Sequence, residues 1–182
     1  MTRRKILIGA AAAVLGVAAL VGIAGHYGIL KDDDDDDEDE GRGALVRALR
    51  FAKVSLQQGL AASEQEGQPI SGKFEIDRGT FQLSVYTSKD GKSSEVLVDY
   101  STGIVAKVAP VTQADDVAVA QSQSAAMAKA KTSLKEAIDK ATGEAAGFRA
   151  VGVIPNLKDG RAVASMLLLK GDEFKIVNQA LD

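Results

Sequence analysis

The 182-residue chain is 46% hydrophobic but only 4% aromatic, so any core must be built from Ala, Val, Leu and Ile. It has no cysteine and a single histidine, His26. Disulfides, thiolate metal sites, cysteine nucleophiles and the histidine-dependent hydrolytic routes are thereby excluded from the body of the protein. The formal charge of -3 hides an uneven distribution: 9 of the 25 acids lie in residues 32–40, and from Gly41 onward 16 acids face 18 bases. A nearly neutral body has no concentrated basic face, so no nucleic-acid partner is expected.

The chain opens on Thr2-Arg3-Arg4-Lys5, followed by twenty residues, Ile6 to Gly25, without a charged or polar side chain. As a helix that run spans roughly 30 Å, about one hydrocarbon core. Basic residues before it and acids after it place the N-terminus in the cytoplasm and the remainder across the membrane. Residues 1–30 therefore read as a signal anchor, with residues 6–25 in the membrane. The alternative is a signal peptide cleaved near Ala24, after Gly22-Ile23-Ala24. The first reading tethers the body to the far side of the membrane; the second releases it as a soluble or secreted protein.

Residues 31–43 read as an acidic linker. Nine consecutive acids follow Lys31, and mutual repulsion favours an extended, solvated spacer. Weak cation binding is the competing reading, but the run lacks the spaced ligands and turn glycine of a calcium loop.

The body divides into residues 44–110, a connector at 111–124, and residues 125–182. In the first part Leu45, Leu49, Ala52, Leu56 and Leu60 recur at helical spacing, and the helix should fade near Gly67, ahead of Pro69. Strands follow. Phe74 and Ile76 share one face; Phe81, Leu83 and Val85 share one face with Gln82, Ser84 and Tyr86 opposite. Asp77-Arg78-Gly79, Lys89-Asp90-Gly91-Lys92 and Ser101-Thr102-Gly103 are turns between strands, the last two strands being Glu95 to Tyr100 and Ile104 to Val108. In the second part Met127, Ala130, Leu134, Ala137, Ile138 and Ala141 form a helical stripe ending between Gly143 and Gly147. Phe148 to Ile154, Ala162 to Leu169 and Glu173 to Val177 read as strands, with Asn156 to Gly160 as a turn. Ala162 to Leu169 is apolar on both faces and reads as a central strand.

The two parts look alike at an offset of 78. Lys53-Val54-Ser55-Leu56 corresponds to Lys131-Thr132-Ser133-Leu134, Leu60 to Ile138, Glu66 to Glu144, Ile70 to Phe148 and Ile76 to Ile154. The fold class is therefore α+β, with two similar halves, each one helix followed by an antiparallel meander. A lone half of this size is marginal, so the halves should pack together.

The first half resembles a PepSY domain. The resemblance rests on the Ser55-Leu56 helix opening, the strand Phe81-Gln-Leu-Ser-Val-Tyr86, the Asp90-Gly91 turn, and Glu95-Val-Leu-Val-Asp99 running into Thr102-Gly103. Leu83 departs from the family's pattern, where a tyrosine is common. The second half looks like a degenerate copy, keeping Ser133-Leu134, Ala137-Ile138 and Asp159-Gly160 but ending without the Thr-Gly. The resemblance implies an exported, non-catalytic bacterial envelope protein, on the periplasmic side of the inner membrane if anchored or in the soluble periplasm if cleaved, with a binding role toward a peptidase or another envelope protein; restraint of a peptidase is the role proposed for the family.

Among single residues, Asp99 reads as the cap of the Ser101-Thr102-Gly103 turn, and Asp90, Gly91, Gly103, Asp159 and Gly160 as turn residues. Tyr86 and Tyr100 are the candidates for a recognition surface. No catalytic, cofactor-binding or metal-ligating residue stands out. An exposed sheet edge that accepts a partner's strand is the binding mode this architecture offers. The competing functional reading is a structural or sensory envelope protein whose acidic spacer responds to cations.

Overall fold

A computed structural model describes residues 36–182, with side chains described from Gly41. The expected membrane segment lies outside these residues. Among the described residues no helix is long and apolar enough to cross a membrane. The elements are α1 (Asp36–Leu49), α2 (Leu56–Ser63) with a 3-10 turn at Glu64–Glu66, β1 (Gln68–Asp77), β2 (Thr80–Lys89), β3 (Lys92–Val98), β4 (Val105–Pro110), α3 (Ala114–Met127), α4 (Leu134–Glu144), β5 (Arg149–Lys158), β6 (Arg161–Lys170) and β7 (Glu173–Ala180). The fold is α+β with two similar units, α2 with β1–β4 and α4 with β5–β7.

The strands form one seven-stranded sheet in the order β4-β3-β2-β1-β5-β6-β7. Three hairpins turn on two residues that both have positive φ: Arg78-Gly79, Asp90-Gly91 and Asp159-Gly160. That is the type I′ geometry whose twist suits a tight hairpin. The halves join edge to edge through β1 and β5, and the ladder between them has only two rungs, Gly72↔Val153 and Lys73↔Gly152. Pro155 helps limit the ladder. It lies two residues past Val153 on the side facing β1, where its nitrogen has no proton to donate.

The second half repeats the first in detail. Ser55 and Ser133 both cap their helices within capping boxes, closed by Gln58 and Glu136. The N–H groups of Lys53 and Val54 donate to the Tyr100 carbonyl (2.9 and 3.1 Å), and those of Lys131 and Thr132 to the Leu181 carbonyl (2.6 and 3.0 Å). The first strand of each half carries a bulge, between Pro69 and Ser71 in β1 and between Ala150 and Gly152 in β5. The bulged residues, Ile70 and Val151, are fully buried.

These landmarks correct the expected alignment. The helices correspond at an offset of 78, but the bulges and hairpins correspond at 81, so Ile70 matches Val151 rather than Phe148, and Ile76 matches Leu157 rather than Ile154. The second half has three more residues between its helix cap and its first strand.

Other expectations change with the structure. The helical spacing from Leu45 to Leu60 spans two helices, because the Ser55 capping box starts a new one. The stripe from Met127 to Ala141 is broken in the same way at Ser133. The backbone is already helical from Asp36, inside the run expected to be extended. β5 runs on to Lys158, so Asn156 to Lys158 are strand and only Asp159-Gly160 turn. Ala162 to Leu169 lies in β6, which is flanked on both sides but is second from the edge.

The connector at 111–124 is mostly helical, α3 beginning at Ala114. Adjacent strand residues point to opposite faces. The Cβ position of Gly72 lies 3.3 Å from side-chain atoms of Leu56 and Leu60 in α2. The neighbouring Ser71 hydroxyl instead donates to Gln123 Oε1 of α3 at 2.8 Å. Hence α2 and α3 cover opposite faces. Helices α2 and α4 touch one another, Gln57 Nε2 donating to Asp139 Oδ1 at 3.2 Å.

On the α2 and α4 face the two halves distribute volume differently. Gly59 of α2 sits over Leu83 of β2, its Cβ position only 2.6 Å from Leu83 Cδ2. The corresponding residues of the second half are Ala137 and Ala164, both buried. A glycine on the helix therefore lies over a leucine on the sheet in one half, where the other half has buried alanines at both positions.

Candidate functional site

The face beneath α3 differs between the halves. In the first half it holds Ser71, Lys73, Glu75, Gln82, Ser84, Tyr86 and Glu95. Ser84 is the hub: its hydroxyl donates to Glu75 Oε1 at 2.8 Å and accepts from Gln82 Nε2 at 3.0 Å. Lys73 pairs with Glu75 at 2.6 Å, their side chains only 12% and 17% exposed. The Tyr86 hydroxyl donates weakly to Glu95 at 3.4 Å. Burial is the first cause raising the pKa of Tyr86, followed by the charges of Glu95, Glu75 and Asp116 of α3. Burial and the charge of Glu75 raise that of Glu95, against the hydrogen bond from Tyr86 and the charge of Lys73.

In the second half the same hub survives without charge. Ser165, the counterpart of Ser84, accepts from Asn156 Nδ2 at 3.0 Å and donates to Asn178 Oδ1 at 2.6 Å. Ile154, Leu167 and Ile176 stand where the first half has Lys73, Tyr86 and Glu95. The charged cluster is thus a property of one half and lies on the sheet face where Ser71 bonds to Gln123 of α3. Among the described residues no group of three His, Cys, Asp or Glu is arranged to hold a metal ion.

The turn residues occupy the positions expected of them. Asp99 Oδ1 accepts from the backbone N–H groups of Ser101 and Thr102 (2.9 and 2.8 Å) and from both hydroxyls (2.6 and 2.9 Å). These bonds, led by the Ser101 hydroxyl, pull its pKa down to about 2. Asp90, Gly91, Gly103, Asp159 and Gly160 all have positive φ. Tyr86, one of the two recognition candidates, is 3% exposed and belongs to the core. Strand alternation separates it correctly from Val85, but its face is covered by α3. Tyr100 is half-buried against Phe81, the ring centroids 4.8 Å apart. The two tyrosines do not form a common surface.

A cleft of about 390 Å³ lies between the end of α2 and the start of α4, lined by Leu60, Glu64, Gln68, Lys131, Thr132 and Lys135 among others. The helix end beside it is already satisfied by Ser133 and Glu136.

The edges of the sheet are the remaining candidates, and they differ. In the first half β3 is covered by β4. That outer strand is six residues long, ends in Pro110, carries an exposed Lys107, and pairs through a register irregularity at Leu97 and Val98. Such features guard an edge against further pairing. In the second half β7 corresponds to β3 but has no outer neighbour among the described residues. It is eight residues long, has no proline, pairs with β6 without a break in register, and carries no charged side chain from Ile176 to Ala180.

No protein-family profile, curated protein or solved structure matches the chain.

Proposed function

We propose that this chain is a non-catalytic binding module of the PepSY kind, exported to the bacterial envelope and held there by residues 6–25, which engages a protein partner by strand addition. The unguarded β7 edge carries the reading. It offers a row of backbone donors and acceptors in the place that β4 fills in the first half, and such a row recruits an extended segment through main-chain hydrogen bonds. The absence of cysteine and of histidine beyond His26 favours binding over catalysis.

In the β6–β7 hairpin Lys170 pairs with Glu173, so Glu173, Lys175, Val177 and Gln179 bond to β6 and the alternate residues direct their backbone groups outward. Proline at Asn178 therefore removes an outward donor and leaves the β6 ladder intact, while alanine there removes only the side-chain bond to Ser165. A photo-crosslinking amino acid at Gln179, in cells expressing the full chain, should give a discrete adduct. The adduct should persist in Asn178→Ala and disappear in Asn178→Pro. Adducts that are indifferent to the proline, with both variants folded by circular dichroism, would refute strand addition.

A further inference from the structure

We infer that the end of the body carrying Phe51 and Ile104 rests on the lipid surface, with those two side chains inserted between the lipids. The inference rests on the tether at residues 6–25 and specifies which end of the body that tether brings to the membrane.

Among the described residues Phe51 and Ile104 are the most exposed large apolar side chains, at 71% and 67%. They are far apart in sequence and close in the fold. Two residues beyond Phe51, the Lys53 N–H donates to the Tyr100 carbonyl at 2.9 Å. One residue before Ile104, the Cβ position of Gly103 lies 3.3 Å from Val54 Cγ1. Beside them the Tyr100 ring meets Phe81 at 4.8 Å, and Phe81 pairs across the hairpin with Ile76, itself 38% exposed. Three exposed apolar side chains thus flank two half-buried rings at one end of the sheet. Apolar side chains grouped in this way, rather than scattered singly, mark a contact surface. The second half needs no such group. At the helix offset of 78 the counterpart of Phe51 is Lys129, and at the strand offset of 81 that of Phe81 is the buried Ala162.

The tether enters at the same end. The Leu49 carbonyl of α1 accepts from Arg149 Nη1, at the start of β5, at 3.2 Å, and Val46 and Arg50 of α1 line a cleft with Phe174 at the start of β7. Ten residues, 26–35, separate Gly25 from Asp36, and they reach at most about 35 Å. The opposite end of the sheet is a strand's length farther, roughly 33 Å for ten residues. A tether of that reach presents the Phe51 end to the membrane. Charge does not select the lipid, because the nine acids of residues 32–40 outnumber the four bases from Arg42 to Lys53. The contact is apolar and calls for no anionic headgroup.

The test uses the full chain reconstituted in phosphatidylcholine vesicles. The sequence has no cysteine, so Lys53→Cys and Lys158→Cys each carry a single nitrobenzoxadiazole label, one beside the patch and one at the opposite end. Both side chains are exposed. Quenching by a spin-labelled phosphatidylcholine reads lipid contact, and quenching by iodide reads contact with water. The label at position 53 should be quenched by the lipid and protected from iodide, and the label at position 158 should show the reverse. Burying either Phe51 or Ile104 favours contact on the order of ten-fold. Phe51→Ser/Ile104→Ser should therefore abolish lipid quenching at position 53 while circular dichroism stays unchanged. A vesicle-bound chain whose two labels respond alike overturns the contact and leaves the tether standing. A label at position 53 that is protected from iodide but not quenched by lipid places a second copy of the chain over the patch, and overturns the contact equally. A chain that does not float with the vesicles overturns the tether and this inference with it.

Discussion

Replacing Gly59 by alanine tests how closely α2 lies on the sheet. A methyl group there would meet Leu83 Cδ2 at 2.6 Å and Cγ at 3.2 Å, and Leu83 is fully buried. The contact is about 1 Å inside the usual separation of roughly 3.5–4.0 Å between carbon atoms. Overpacking of this kind costs about 1–3 kcal/mol, and alanine in a helix returns about 1 kcal/mol relative to glycine. The net expectation is a loss of about 1 kcal/mol, or a melting temperature lower by about 2–4 °C for a chain of this size.

The sign should reverse when Leu83 is first cut to alanine, which recreates the Ala137 and Ala164 pair of the second half. Leu83→Ala alone should cost about 2–5 kcal/mol. In that background Gly59→Ala should gain about 1 kcal/mol, from helix propensity and partial filling of the cavity. The two substitutions are then coupled by about 2 kcal/mol, well above the scatter of about 0.5 kcal/mol for independent sites. Urea midpoints followed by far-UV circular dichroism would measure all four proteins. Additive effects, or a Gly59→Ala protein more stable than its parent in both backgrounds, would refute the volume argument.

Two further predictions concern stability. Ser55→Ala and Ser133→Ala should each cost about 1 kcal/mol. They cap separate helices, so the double variant should lose about the sum, and a single transition measured by thermal denaturation would check it. Glu95→Gln should stabilise the protein at neutral pH, because burial and Glu75 raise the pKa of Glu95 above its unfolded value. A carboxyl group shifted upward favours folding while it is protonated and loses that contribution as pH rises from its unfolded pKa through its folded one. The parent's melting temperature should therefore fall relative to that of the Gln variant as pH rises from about 4; parallel pH profiles would contradict the reasoning.

Much of the sheet was legible in the residues. Asp90-Gly91 and Asp159-Gly160 mark hairpins because two positive-φ positions in a row favour such residues, Arg78-Gly79 is marked by its glycine alone, and the alternation along Phe81 to Tyr86 assigns faces correctly. The helices were harder. Ala52 and Ala130 continue an apolar spacing of three or four straight through each break, and only the capping boxes, Ser55 with Gln58 and Ser133 with Glu136, announce a restart. The connector gave little sign of its own helix because α3 has almost no large apolar stripe. It buries Ala120, Gln123 and Ala126, small or polar residues that allow close approach to a polar sheet face. That helix also removes Tyr86 from the surface, which alternation alone does not reveal. Which sheet edge stays open depends on the one-sided presence of β4 and becomes visible only once the halves are laid over one another at the strand offset.

The paired hydrogen bonds that close each half have a consequence for exchange with solvent. The amides of Lys131 and Thr132 are protected only while the Leu181 carbonyl stays in place, and Leu181 is itself fastened by its own N–H to the Ala162 carbonyl at 2.9 Å. Fraying of β7 thus releases protons at the start of α4, several strands' length of chain away in sequence. The deuterium uptake of those two amides becomes a gauge of how firmly the outer strand is seated, and a segment clamped along that strand would slow them without touching them.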